Sequence, residues 1–164
     1  MLHRLEELRA SRRWEGAPLA VIGAGGAARA TLAAARTLGA RATVYARRPA
    51  VAEELADAFG ADVGASAVPF PLVVHATNVG RDDGAALDVP LAGLMAPGGL
   101  LLDWVYRPRV PVLRNAAEAA GATYEDGWRL FVYQAAASYE IWWGHPPGAA
   151  ALAEALQEGG ACAA

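Results

Sequence analysis

An apolar segment, Pro18-Leu19-Ala20-Val21-Ile22, runs directly into Gly23-Ala24-Gly25-Gly26-Ala27-Ala28, and an alanine-rich segment of helical character follows at once. A strand that ends in a glycine turn and restarts as a helix is the opening of a βαβ unit. Small residues spaced G-x-G-x-x-A are the dinucleotide-binding form of that turn. Gly23 permits the tight turn. Gly25 lets a pyrophosphate approach the backbone. Ala28 is small enough for helix and strand to pack closely. The phosphates would lie on the free N–H groups of a helix N-terminus, which carries about half a positive charge. A Gly-rich turn without a ligand uses the same residues; the strand before it and the helix after it favour the nucleotide.

The rest of the chain repeats this alternation. Leu2, Leu5 and Leu8 predict a short amphipathic helix over 3–13. Strands are expected at 18–22, 42–46, 61–63, 71–76, 100–104 and 123–124, and helices at 25–38, 49–59, 111–120, 129–143 and 148–157. Gly39 and Gly60 mark helix ends, and Pro49 suits a first helical turn. A polar loop is expected from Thr77 to Gly84, with Asp82-Asp83 solvated in it. Alternating strands and helices without internal repeats predict an α/β fold: a doubly wound, Rossmann-type parallel sheet with helices on both faces. Ligand residues then belong at the C-terminal edge of the sheet.

Composition narrows the functional classes. The 164 residues are one domain's worth, and 55% hydrophobic against 19% charged residues favours a packed core over disorder. A net charge of −3 implies no general attraction to nucleic acid or anionic membrane. No apolar run approaches a membrane span, and the charged N-terminus is unlike a signal peptide. The single cysteine, Cys162, allows neither a disulfide framework nor a Cys-rich metal site, and a cytoplasmic address is the simplest expectation. No metal is expected. All 14 basic residues are arginine, so an active site needing lysine must take it from elsewhere.

The second strand addresses which nucleotide. An NAD site of this kind places an acid about 20 residues past the glycines, on the ribose 2′-hydroxyl. Here that place holds Ala46, followed by Arg47 and Arg48. Two guanidinium groups suit the 2′-phosphate of NADP, through bidentate charge-assisted hydrogen bonds and stacking on adenine. A solvated basic turn is the bland alternative. The missing acid also counts against S-adenosylmethionine.

Separated segments together resemble the shikimate and quinate dehydrogenases. They are Gly23 to Ala30; Ala46-Arg47-Arg48-Pro49, where that family shows Asn-Arg-Thr; His75-Ala76-Thr77-Asn78-Val79-Gly80, similar to Asn-Ala-Thr-x-x-Gly; Asp103-Trp104-Val105-Tyr106-Arg107-Pro108; and Asp126-Gly127, continuing to Gln134 and Trp142-Trp143-Gly144. The resemblance covers about residues 3–147 and only the family's C-terminal, NADP-binding half. It implies a preceding substrate domain with a catalytic Lys–Asp pair. On this reading residues 1–17 are the linker helix from that domain, 18–147 the NADP-binding domain, and 148–164 a C-terminal helix and tail. The chain departs from the pattern at Arg48, His75, Val110 and Trp128-Arg129-Leu130.

The resemblance also implies roles. Gly23, Ala24, Gly25, Gly26 and Ala27 would hold the pyrophosphate, Arg47 and Arg48 the 2′-phosphate, and Thr77 would border the cofactor. Trp104 and Gly127 would flank the nicotinamide. Tyr106 and Gln134 would reach substrate. Each has a structural alternative: Thr77 as a turn hydroxyl, Trp104 as core, Tyr106 as a wall residue, Gln134 as an exposed helix position. No catalytic residue is expected in this chain. A lone His75 after an apolar strand is more commonly a satisfied structural group than a proton donor, although its chemistry permits transfer. Trp142 and Trp143 are expected to pack. The function implied is the NADP-binding domain of a shikimate dehydrogenase-like oxidoreductase, which reduces 3-dehydroshikimate with NADPH in aromatic amino-acid biosynthesis. It would engage a shikimate-like substrate only with a substrate domain and be inactive alone. The alternatives are a standalone non-catalytic NADP-binding or regulatory module, and the related nucleotide domain of glutamyl-tRNA reductase. The features at Asp103, Tyr106, Pro108 and Gln134 disfavour the last.

Overall fold

Helices and strands alternate through the chain, as the local sequence pattern requires. The computed structural model describes residues 1–11, 13–64, 68–79, 91–106 and 111–161. Their elements are α1 (Leu2–Ala10), β1 (Leu19–Ile22), α2 (Gly26–Thr37), β2 (Ala42–Tyr45), α3 (Pro49–Phe59), β3 (Asp62–Val63) and β4 (Phe70–His75). They continue with a single turn α4 (Leu91–Leu94), β5 (Met95–Asp103), α5 (Pro111–Ala119), β6 (Thr123–Glu125), α6 (Trp128–Trp143) and α7 (Ala149–Ala161). The expected loop beyond Val79, including Asp82-Asp83, lies outside the described residues, as do Arg107, Pro108, Val110 and Cys162. No helix among the described residues is long and apolar enough to cross a membrane.

The six strands form one sheet in the order β3-β2-β1-β4-β5-β6, with every pairing parallel. The order turns back between β1 and β4, which makes that gap the switch point where such sheets bind ligands. β1 is buried along its whole length because helices cover both faces. Successive residues alternate between the two cores. Leu19 and Val21 pack with Leu5, Leu32, Leu55 and Leu130 on one face. Ala20 and Ile22 pack with Leu91, Leu94, Leu113 and Ala117 on the other.

Two sequence expectations are corrected. β5 begins at Met95, not at residue 100. Pro97-Gly98-Gly99 bulges out of the ladder between two paired stretches, with Gly98 at φ +74°: Phe70 pairs with Met95 and Leu72 with Leu100. Trp142 and Trp143 do not join either core: they are 76% and 66% exposed, and Ile141 beside them is 80% exposed. They lie at the end of α6, on a surface that no described element covers.

The N-terminal helix is tied down by charge as well as by Leu5 and Leu8. The buried Arg4 guanidinium donates twice to the Glu125 carboxylate, at 2.6 Å each, and once to Glu7 at 2.8 Å. Arg129 donates to Glu7 at 2.9 Å, and the Tyr133 hydroxyl donates to the same carboxylate. Burial alone would raise the Glu7 carboxyl, but the hydrogen bonds from Tyr133, Arg4 and Arg129 outweigh it and hold the group below its ordinary value. A depressed carboxylate stabilises the fold above its unfolded-state value, and that contribution is lost as pH falls through the folded-state value. Glu7→Gln is therefore expected to cost about 1–2 kcal/mol at neutral pH, discounted for partial exposure. The difference from the parent chain should shrink as pH falls below the ordinary carboxylate range, measured by denaturant unfolding at each pH. A difference unchanged with pH would refute the role of charge.

Candidate cofactor cleft

The C-terminal edge of the sheet opens into a cleft of about 770 Å³ at the switch point. Backbone hydrogen bonds just past the strand ends hold its rim: Gly23 N–H to Tyr45 O at 2.8 Å, Ala76 N–H to Ile22 O at 2.8 Å, and Trp104 N–H to His75 O at 2.9 Å. Gly23, Ala24, Gly25, Gly26, Ala27, Arg47, Arg48 and Thr77 all line it. Ile22, Tyr45, Ala46, Val51, Ala76, Asn78 and Val79 line it too. Sequence reasoning did not name these seven as site residues. Their position at or just past the ends of β1, β2 and β4, or in the first turn of α3, was the available signal.

The glycines differ in purpose. Gly23 has φ +129°, and a Cβ there would stand 2.4 Å from the Ala76 carbonyl oxygen, so this turn excludes any side chain. At Gly25 and Gly26 a Cβ would meet nothing within 4 Å. Their smallness serves the open space in front of them, not the packing behind. Gly25 precedes α2 without a side-chain cap, and no acid occupies the first turn. The N–H groups of that turn have no i−4 carbonyl partner by helix geometry, so an uncompensated positive end faces the cleft.

Arg47 and Arg48 follow β2 and are exposed. Among the described residues neither guanidinium has an ion-pair partner. Arg48 immediately precedes α3, whose first residue is Pro49. The cleft thus joins a helix N-terminus to two exposed cations, an arrangement that suits a ligand with separated anionic groups.

The remaining expected residues lie elsewhere. Trp104 is half-buried against the core, and its indole N–H donates to Thr31 Oγ1 at 3.1 Å. Gly127 precedes α6, and a Cβ there would stand 2.3 Å from the Trp104 carbonyl oxygen. Its smallness serves close backbone packing. Tyr106 stacks on Phe131 at 4.6 Å between ring centres and meets Trp128 edge-on at 6.2 Å. Gln134 is exposed on α6. None of these four lines the cleft.

Beneath Thr77 lies a buried polar chain that the sequence alone did not suggest. His75 and Asp103 end β4 and β5, are paired in register, and are both fully buried. His75 Nδ1 is 2.8 Å from Asp103 Oδ1, and Nε2 is 2.6 Å from Thr77 Oγ1. The Val79 N–H donates to Thr77 Oγ1 at 3.0 Å. Val105 N–H and the Tyr124 hydroxyl donate to Asp103 at 2.9 and 3.1 Å. Two polar residues at matching strand ends were the available signal.

Known proteins share this architecture. No protein-family model matches the chain. The shikimate dehydrogenase (NADP(+)) of Sphingopyxis alaskensis is 40% identical over 139 residues, which cover 81% of this chain and 50% of that protein. That of Halobacterium salinarum is 40% identical over 148 residues, covering 87% and 55%. The crystal structure of shikimate 5-dehydrogenase from Thermus thermophilus in complex with NADP(H) and shikimate superposes with a TM-score of 0.75 at 32% identity. It covers 95% of this chain and 60% of that one. The chain spans about half the length of the curated relatives it matches. By sequence and by fold, this chain belongs to the shikimate dehydrogenase family and has the α/β sheet of that family's nucleotide-binding half.

Proposed function

We propose that this chain is the NADP-binding domain of a shikimate dehydrogenase-type oxidoreductase and that a substrate domain completes the active site. The observation that carries the reading is the meeting, on one cleft, of an open glycine turn and two exposed arginines. The residues fit the cofactor. Open space in front of Gly25 and Gly26 admits a pyrophosphate against the N-terminus of α2. Arg47 and Arg48 stand one strand away, where a 2′-phosphate on the adenosine ribose would fall. When bound, NADP(H) supplies the hydride chemistry.

The chain's own residues bind and orient the cofactor. The first turn of α2 donates to phosphate, the two guanidinium groups donate to the 2′-phosphate, and Thr77 contributes at the β4 side. Trp104 and Gly127 would act at the nicotinamide end, and Tyr106 and Gln134 towards substrate, once a second domain closes over them. The exposed Ile141, Trp142 and Trp143 support that closure, because a contiguous apolar surface of this kind marks a contact site. On this reading residues 1–17 link to the substrate domain, 18–147 bind the cofactor, and 148–164 form the C-terminal helix and tail. The substrate would be shikimate-like, and the setting cytoplasmic.

Calorimetric titration tests the cofactor. NADP is expected to bind at least about tenfold tighter than NAD, since one charge-assisted hydrogen bond contributes about 1.5–3 kcal/mol. Arg47→Ala should weaken NADP and leave NAD nearly unchanged. Equal or tighter binding of NAD would sink the assignment.

A further inference from the structure

We propose that Asp103 and His75 are buried positioning residues that set the hydrogen-bond polarity of the Thr77 hydroxyl towards a dinucleotide in the cleft. The inference rests on the reading of that cleft as a dinucleotide site. It concerns a position where this chain carries His75 and the family's motif carries asparagine.

Asp103 is the buried anchor of this chain of hydrogen bonds. Its carboxylate accepts from the Val105 N–H, the Tyr124 hydroxyl and the imidazole. Burial, then the charge of Asp103, push the Tyr124 phenol well above its ordinary value, so it stays a donor. With two other donors already in place, the carboxylate requires a proton on His75 Nδ1. That assignment leaves Nε2 facing Thr77 alone.

Two states follow for Thr77. With neutral His75, Nε2 accepts the hydroxyl proton. Thr77 Oγ1 already accepts the Val79 N–H, so it keeps only a lone pair for the cleft. With protonated His75, Nε2–H donates to Oγ1 instead, and the hydroxyl proton is released towards the cleft. A lone pair repels a phosphate oxygen, and a donor binds one. Dinucleotide affinity should therefore be higher in the state with protonated His75, and the imidazolium charge acts in the same direction. Among the described residues, Asp103 on β5 and Tyr124 on β6 are the titratable groups in this chain of bonds. Arg114 lies over the Tyr124 ring, and Asp126 acts on Tyr124 as a charge. β1 presents apolar Ile22 in register with His75.

The test is calorimetric titration of NADP between about pH 5.5 and 8.5, on the whole chain and on His75→Asn, Thr77→Val and Thr77→Ser. The probe's own 2′-phosphate titrates nearby and contributes equally to every variant, so differences between profiles are read. The parent chain should gain about tenfold in affinity towards low pH relative to His75→Asn, the effect of one phosphate hydrogen bond. Thr77→Val should lose that gain, and Thr77→Ser should restore it. Imidazole ¹⁵N shifts should place the neutral proton on Nδ1 in the parent chain and on Nε2 in Asp103→Asn. Identical profiles for the parent and His75→Asn, or a neutral proton on Nε2 in the parent, overturn the proposal. Absence of NADP binding in every protein at every pH overturns the cofactor reading and this inference with it, and is distinguishable from an unchanged profile.

Discussion

Gly25→Val is expected to abolish NADP binding while leaving the fold intact. The two halves of this result have separate causes. The backbone at Gly25 has φ −87° and ψ −167°, extended values that a β-branched residue adopts without strain. A Cβ at this position meets no protein atom within 4 Å. The folded chain therefore loses only the modest preference for a better residue before the helix, about 1 kcal/mol or less. The branched side chain would instead fill the space in front of the first turn of α2. A pyrophosphate displaced from that turn forfeits charge-assisted hydrogen bonds worth about 1.5–3 kcal/mol each. Losing two weakens binding by about 100-fold or more. Calorimetry and thermal unfolding, run on the same preparation, check both halves. A folded variant with unaltered affinity would show that the turn serves structure only. Gly23 gives the contrast: its Cβ would collide with the Ala76 carbonyl, so Gly23→Val should fail in stability before it fails in binding.

The second large effect is on turnover. The chain alone, with NADP and shikimate, is expected to be slower than an intact family member by about 10⁴-fold or more. It contains no lysine, so the Lys–Asp pair that the resemblance implies would have to come from the substrate domain proposed above. A positioned acid–base group accounts for about 10²–10⁴-fold. Holding only one of two reactants gives up much of the proximity advantage as well, which reaches about 10⁵ M or more in effective concentration for well-oriented groups. Tyr106 and Gln134 are too few to orient a polyhydroxylated ring, and neither lines the cleft. His75 is fully buried and reaches the cleft only through Thr77. The assay follows absorbance of the reduced nicotinamide. Turnover within about tenfold of an intact relative would refute the divided site, and its loss in His75→Ala would then identify His75 as the base. Activity that appears only on adding a separately expressed substrate domain would establish the division directly.

Much of this molecule is legible in its sequence, because the relevant physics is local. Pro49 and Gly60 bound α3 at the residues expected of them, since a fixed φ starts a helix and a left-handed residue ends one. The glycine turn was legible because only a strand before it and a helix after it give those spacings a use. Arg47 and Arg48 were legible from their count past the glycines, and they do line the same cleft.

What the tertiary structure alone decided involves groups brought together by long-range pairing. Pro97-Gly98-Gly99 keeps its local turn character, with Gly98 at φ +74°, yet lies within β5 because β4 pairs with Met95 before it and Leu100 after it. Trp142 and Trp143 are exposed because periodicity marks a helix face but does not say whether a partner covers it. His75 meets Asp103 because β4 and β5 pair in a register that sets residues 28 positions apart side by side. Composition determined that this chain has no lysine of its own. Strand register determined which buried group stands behind the cleft.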